Sequence, residues 1–185
     1  MHHKGTPTFY ALKRVKDRMQ RLTAPLLIFA YGNPSRGDDA LGPHLLDLLA
    51  ESRARHPEWH EFELLTDFQL QVEHSVDLEG RDLVLFIDAS VSCPSPFLFS
   101  ALQPAQDARY TTHEMSPEAV LHVFENIYQR PVPPSFLLSV RGESFALGEP
   151  LSRAALENRD AALALLVQLC SQPNLKVWQT LLLHA

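Results

Sequence analysis

Leu83-Val84-Leu85-Phe86-Ile87 is an unbroken apolar run closed by a carboxylate, Asp88. A run this short and this apolar reads as a strand covered on both faces, the condition of an inner strand in a parallel sheet. Residues 26–31, Leu-Leu-Ile-Phe-Ala-Tyr, have the same character and lead into the polar segment Gly32-Asn33-Pro34-Ser35-Arg36-Gly37-Asp38-Asp39. The period then becomes helical: Leu41, Leu45, Leu46, Leu48 and Leu49 share one face, and Asp38 and Asp39 precede them where carboxylates suit the positive end of a helix. Apolar runs alternating with helical segments predict an α/β fold, a single three-layer α/β/α domain whose mostly parallel, twisted sheet has about five strands.

Further strands are expected over 61–66, 97–102 and 136–140, and a short helix near 72–78. Ser116 and Pro117 supply an N-cap and an N1 proline for a helix over 118–129, which Pro131, Pro133 and Pro134 end. The last long helix is expected to start at Ser152. Leu151 and Leu156 are placed for a hydrophobic staple, and Ala155, Leu156, Ala162, Leu163, Leu166 and Leu169 for the apolar face. The chain thus divides into a basic extension over 1–23, one domain over 24–171, and a tail over 172–185 that extends the domain or packs along its edge.

No apolar run approaches the roughly 20 residues that a spanning helix needs, and the amino-terminal residues lack an apolar stretch followed by a small-residue cleavage site. The expectation is a cytoplasmic protein without membrane contact. Cys93 and Cys170 have no CxxC partner and read as buried or incidental thiols. The net charge of −6 conceals +5 over residues 1–23 and −11 over the rest. An acidic body argues against a nucleic-acid partner. The basic arm spaces Phe9, Leu12, Val15 and Met19 for one helical face, which suits docking or packing.

In an open α/β sheet, functional groups gather at the carboxyl ends of the strands. Asp39 follows the first strand, Asp88 closes the third, and His113 lies in the connection after the fourth. Two carboxylates and an imidazole form a ligand set for a borderline divalent cation, with coordination positions left open. Each residue also has an ordinary reading. Asp38 and Asp39 are equally the first-turn charges of a helix, Asp88 the cap of a loop, and His113 one surface histidine among nine. A phosphate loop is not indicated, because GxxxxGK[ST] and GxGxxG are both missing and paired aspartates repel phosphate. A serine nucleophile is not indicated either, since there is no GxSxG. No organic cofactor is expected.

Gly32-Asn33 with Asp38-Asp39 and Gly42, then Ile87-Asp88-Ala89, then Thr112-His113 with Leu121 in the next helix, resemble in order and spacing the maturation proteases of nickel-iron hydrogenases. The resemblance runs from Leu26 to about Leu169. The stretch Thr66-Asp67-Phe68-Gln69-Leu70-Gln71, with His74, Asp77-Leu78 and Arg81-Asp82, is similar to the branch that serves soluble NAD-reducing or bidirectional hydrogenases. Pro34 and Ala40, where many members have an apolar residue and a glycine, look like features of that branch. The resemblance implies an endopeptidase that removes the C-terminal extension of the hydrogenase large-subunit precursor after nickel insertion. It implies that Asp39, Asp88 and His113 meet the nickel, which the substrate carries. Asp38 and Asp39 are then candidates for proton transfer, and the protein is expected to be a monomer that pairs transiently with its substrate. The alternative is a non-catalytic nickel-binding chaperone that uses the same ligands to check the metal.

Overall fold

The computed structural model describes residues 24–59, 61–106 and 115–182; the basic arm and His113 lie outside them. Among the described residues five strands form one sheet: β1 (Leu26–Tyr31), β2 (Phe62–Asp67), β3 (Leu83–Ser90), β4 (Phe97–Ala101) and β5 (Ser135–Arg141). Their order is β2-β1-β3-β5-β4, with every pair parallel except β4 against β5. The helices are α1 (Leu41–Arg53), α2 (Pro117–Tyr128), α3 (Arg153–Ser171) and α4 (Leu175–Leu181), with 3-10 turns at Gly37–Ala40 and Val72–Leu78. This is the mostly parallel α/β sheet that the alternation of runs predicts.

Position in the sheet explains the composition of each strand. All six residues of β1 are buried, as are Leu83 to Ile87 of β3, because helices cover both faces of the central pair. The edge strands β2 and β4, and β5 beside β4, carry half-buried or exposed residues among the buried ones. Ile28, Leu85 and Leu138 face a core shared with α1, α3 and α4, whereas Leu27, Phe29 and Phe86 face α2 and the Val72–Leu78 turn. At about 1.5–3 kcal/mol per fully buried apolar side chain, these two layers supply the main stabilisation. Both cysteines are buried, and burial pushes the Cys170 thiol up to about 12, so it stays protonated and inert.

Three local expectations are refined. The tail contributes to the core: Trp178 of α4 is fully buried, stands edge-on to Phe136 at 5.2 Å, and donates its indole N–H to the carbonyls of Leu169 and Gln172. The buried stripe of α3 passes through Ala155, Asn158, Ala162, Leu166 and Leu169, and Leu156 is exposed. Leu156 lies roughly 100° round the helix from Ala155. Asn158 occupies the stripe because its amide bridges Ser95 Oγ and the Arg141 carbonyl, each at 2.9 Å. Finally, β4 is antiparallel, so its carboxyl end lies at the amino edge of the parallel strands, opposite to what placing His113 after the fourth strand assumed. The chain returns before α2, where the Met115 amide donates to the Leu70 carbonyl beyond the end of β2.

Candidate active site at the switch point

β1 connects outward to β2, whereas β3 has its other partner on the opposite side, so strand order reverses between β1 and β3. Such a reversal opens a crevice at the carboxyl ends of the two strands. Asp39 arrives there from the loop after β1. Asp88 arrives within β3, immediately after Ile87, which pairs with Ala30.

The loop is built by small residues and local hydrogen bonds. Asn33 opens a turn closed by Arg36 N–H to Asn33 O (3.0 Å), its side chain accepts from Ser35 N–H (2.9 Å), and Pro34 takes the position that favours proline. The chain then folds back through Gly37–Ala40, and Asp39 Oδ2 accepts from Asn33 N–H at 2.9 Å. Gly32, at φ +141°, lies so close beneath this return that a Cβ there would stand 2.1 Å from the Asp39 carbonyl oxygen. Gly42 brings the first turn of α1 onto both strand ends: a Cβ would stand 2.8 Å from Tyr31 O and 3.2 Å from Ile87 O. These approaches set the Asp39 loop against the carboxyl ends of β1 and β3, the end at which Asp88 lies, and both aspartates are partly exposed. Asp39 Oδ1 accepts no hydrogen bond among the described residues.

Gly42→Ala should report this packing. Alanine favours a helix by about 1 kcal/mol over glycine, but forcing a methyl against two fixed carbonyls costs about 1–3 kcal/mol. A net loss of about 1 kcal/mol in urea unfolding is therefore expected.

Asp38, the neighbour of Asp39, faces the other way and is fully buried. Its Oδ2 accepts from the amides of Glu143 (2.7 Å) and Ser144 (2.9 Å) and from the Ser152 hydroxyl (2.8 Å); Oδ1 accepts from the Ser152 amide (2.7 Å). Burial alone raises its pKa, but the hydrogen bonds from Ser144, Glu143 and Ser152 outweigh that and hold the carboxyl below the usual carboxylate range. A carboxylate that is enclosed, fully bonded and hard to protonate is a poor proton acceptor. Pairing Asp38 with Asp39 in proton transfer does not fit this geometry. Asp38 is a staple: it ties the site loop to the segment between β5 and α3, with Asp38 N–H to Ser144 O (2.7 Å) and Gly37 N–H to Glu149 O (3.1 Å) alongside.

Ser144 and Ser152 therefore belong to the site's support. Ser152 is legible in sequence as an N-cap, and its hydroxyl does accept from Ala155 N–H (3.1 Å). Its bond to Asp38, 114 residues away, had no sequence signal. No group of three His, Cys, Asp or Glu side chains converges as a metal site among the described residues; His113, the third expected ligand, is not among them. No described helix is long and apolar enough to cross a membrane. A groove of about 680 Å³ lined by Pro25, Leu83 and Val177 lies at the amino ends of β1 and β3, away from both aspartates.

No protein-family profile matches this sequence, and no curated protein matches it significantly. Solved structures do match. The NiFe hydrogenase maturation protease HycI from Thermococcus kodakarensis is similar with a TM-score of 0.56 and 18% identity, over 85% of this chain and 99% of that one. The hydrogenase maturating endopeptidase HybD from E. coli gives 0.57 and 20%, over 78% of this chain and 91% of that one. Hydrogenase 2 maturation peptidase from Thaumarchaeota archaeon SCGC_AB-539-E09 gives 0.53 and 26%, over 77% and 95%. The chain has the α/β fold of these hydrogenase maturation proteases.

Proposed function

We propose that this protein is an endopeptidase that removes the C-terminal extension of a nickel-iron hydrogenase large-subunit precursor once nickel is in place. The observation that carries the reading is the pair Asp39 and Asp88, held partly exposed at the switch point of a fold shared with solved maturation proteases. Asp39 Oδ2 is pinned by the Asn33 amide, which leaves Oδ1 for a ligand. In this reading Asp39, Asp88 and His113 meet the nickel ion of the precursor, so only a loaded precursor is engaged. Nickel would polarise the scissile carbonyl or acidify the attacking water, and Asp39, with Asp38 committed elsewhere, is the loop carboxylate whose Oδ1 serves either as the metal's ligand or as the acceptor of the proton. The segment 66–82 favours the large subunit of a soluble NAD-reducing or bidirectional hydrogenase as substrate. The protein would act in the cytoplasm as a monomer that meets its substrate transiently.

Purified protein mixed with precursor large subunit, nickel-loaded or nickel-free, tests this on a gel. Loss of the C-terminal peptide only from the loaded precursor is the expected result. Nickel-dependent binding without cleavage would instead identify a chaperone that checks the metal.

A further inference from the structure

Among the histidines that the proposed chemistry does not use, one is held between two elements that lead to the site loop. His74, in the Val72–Leu78 turn, is mostly buried and stands edge-on to the Phe29 ring at 4.7 Å. Its Nδ1 accepts from the Gln71 amide at 3.0 Å, so Nδ1 carries no proton and Nε2 carries the N–H. Nε2 faces Asp67 Oδ2 at 3.3 Å. Asp67 is the last residue of β2: its Oδ1 accepts from Phe68 N–H (2.6 Å), and its carbonyl oxygen accepts from Gly32 N–H (3.1 Å). Gly32 is the residue pressed against the Asp39 carbonyl, and the next amide, Asn33, holds the Asp39 carboxylate. A continuous series of contacts thus leads from His74 through Asp67 and Gly32 to Asp39.

We propose that His74 is a positioning residue: by holding the side chain of Asp67 it fixes the strand end to which the loop is bonded, and thereby aims the Asp39 carboxylate. Its effect on cleavage rests on the function proposed above; its effect on the loop does not. The competing role is local, since the same ring caps its own turn through Gln71.

Two substitutions separate the roles. His74→Asn places an acceptor where Nδ1 stands, which keeps the cap, but it is too short for Asp67. His74→Gln places an N–H where Nε2 stands, which keeps Asp67 and loses the cap. Losing one partly buried polar contact is worth up to about tenfold in a local equilibrium. His74→Asn is therefore expected to raise hydrogen exchange at the Gly32 and Asn33 amides by about five- to tenfold and to lower kcat by a similar factor with KM unchanged. His74→Gln should restore both. Wild-type behaviour of His74→Asn, or equal impairment of both variants, overturns the proposal in favour of capping or of packing on Phe29. Exchange needs no substrate, so the two readings fail separately. Altered exchange in a protein that cannot cleave loaded precursor rejects the protease, and unaltered exchange in one that can rejects the positioning role.

Discussion

Replacing Asp38 with asparagine is expected to destabilise the protein by about 2–4 kcal/mol, because a buried carboxylate that accepts four hydrogen bonds cannot be matched by an amide. Asparagine has one acceptor oxygen. If that oxygen takes the Oδ2 position, its NH2 group points at the Ser152 N–H; if it takes Oδ1, the NH2 confronts three donors. Either way buried donors go unmet. In a domain of this length the loss corresponds to a melting temperature lower by about 6–12 °C. The pH dependence has a definite sign. The folded pKa of Asp38 is depressed, so its contribution is complete above the unfolded value, about 3.9, and is lost as pH falls through the lower folded value. Urea unfolding should show the full gap between wild type and variant at pH 7, and a narrower gap below that unfolded value. A gap that widens on acidification would mean that Asp38 is not held as a carboxylate.

Asp39→Asn is expected to do the opposite: little change in stability, and cleavage of nickel-loaded precursor slower by about a thousandfold. Asparagine can still accept the Asn33 N–H with its oxygen, so the loop keeps its turn. Its amide then replaces the oxygen left for a ligand, and an amide neither binds a divalent cation as a carboxylate does nor takes a proton. A time course of precursor cleavage, read beside the melting curve, checks both halves. Cleavage within tenfold of wild type would remove Asp39 from the mechanism. Adjacent aspartates with opposite phenotypes, one in stability and one in activity, would be the clearest sign that the loop separates support from chemistry.

That separation shows where reading along the chain stops. The existence of the strands and helices, the helix caps at Ser116 and Ser152, and the buried character of β1 and β3 were legible, because each follows from local periodicity or from a side chain bonding its own neighbours. The direction of β4 was not, since a short strand of mixed pattern reads the same either way. Leu156 was placed on the apolar face of the last long helix, and Asn158 takes a buried place there instead because a buried amide is decided by what it faces, here Ser95 and Arg141. Asp38 and Asp39 are the same residue type in the same motif, and sequence could offer both for catalysis.

The chain by itself determined the class of fold and the positions of two carboxylates at strand ends, since burial and period are local properties. Only the tertiary structure decided which carboxylate is anchored by Glu143, Ser144 and Ser152 and which one faces the crevice, and that His74 reaches the loop through Asp67. Those facts rest on contacts between residues distant in sequence, and hydrogen-bond partners are chosen by proximity in space.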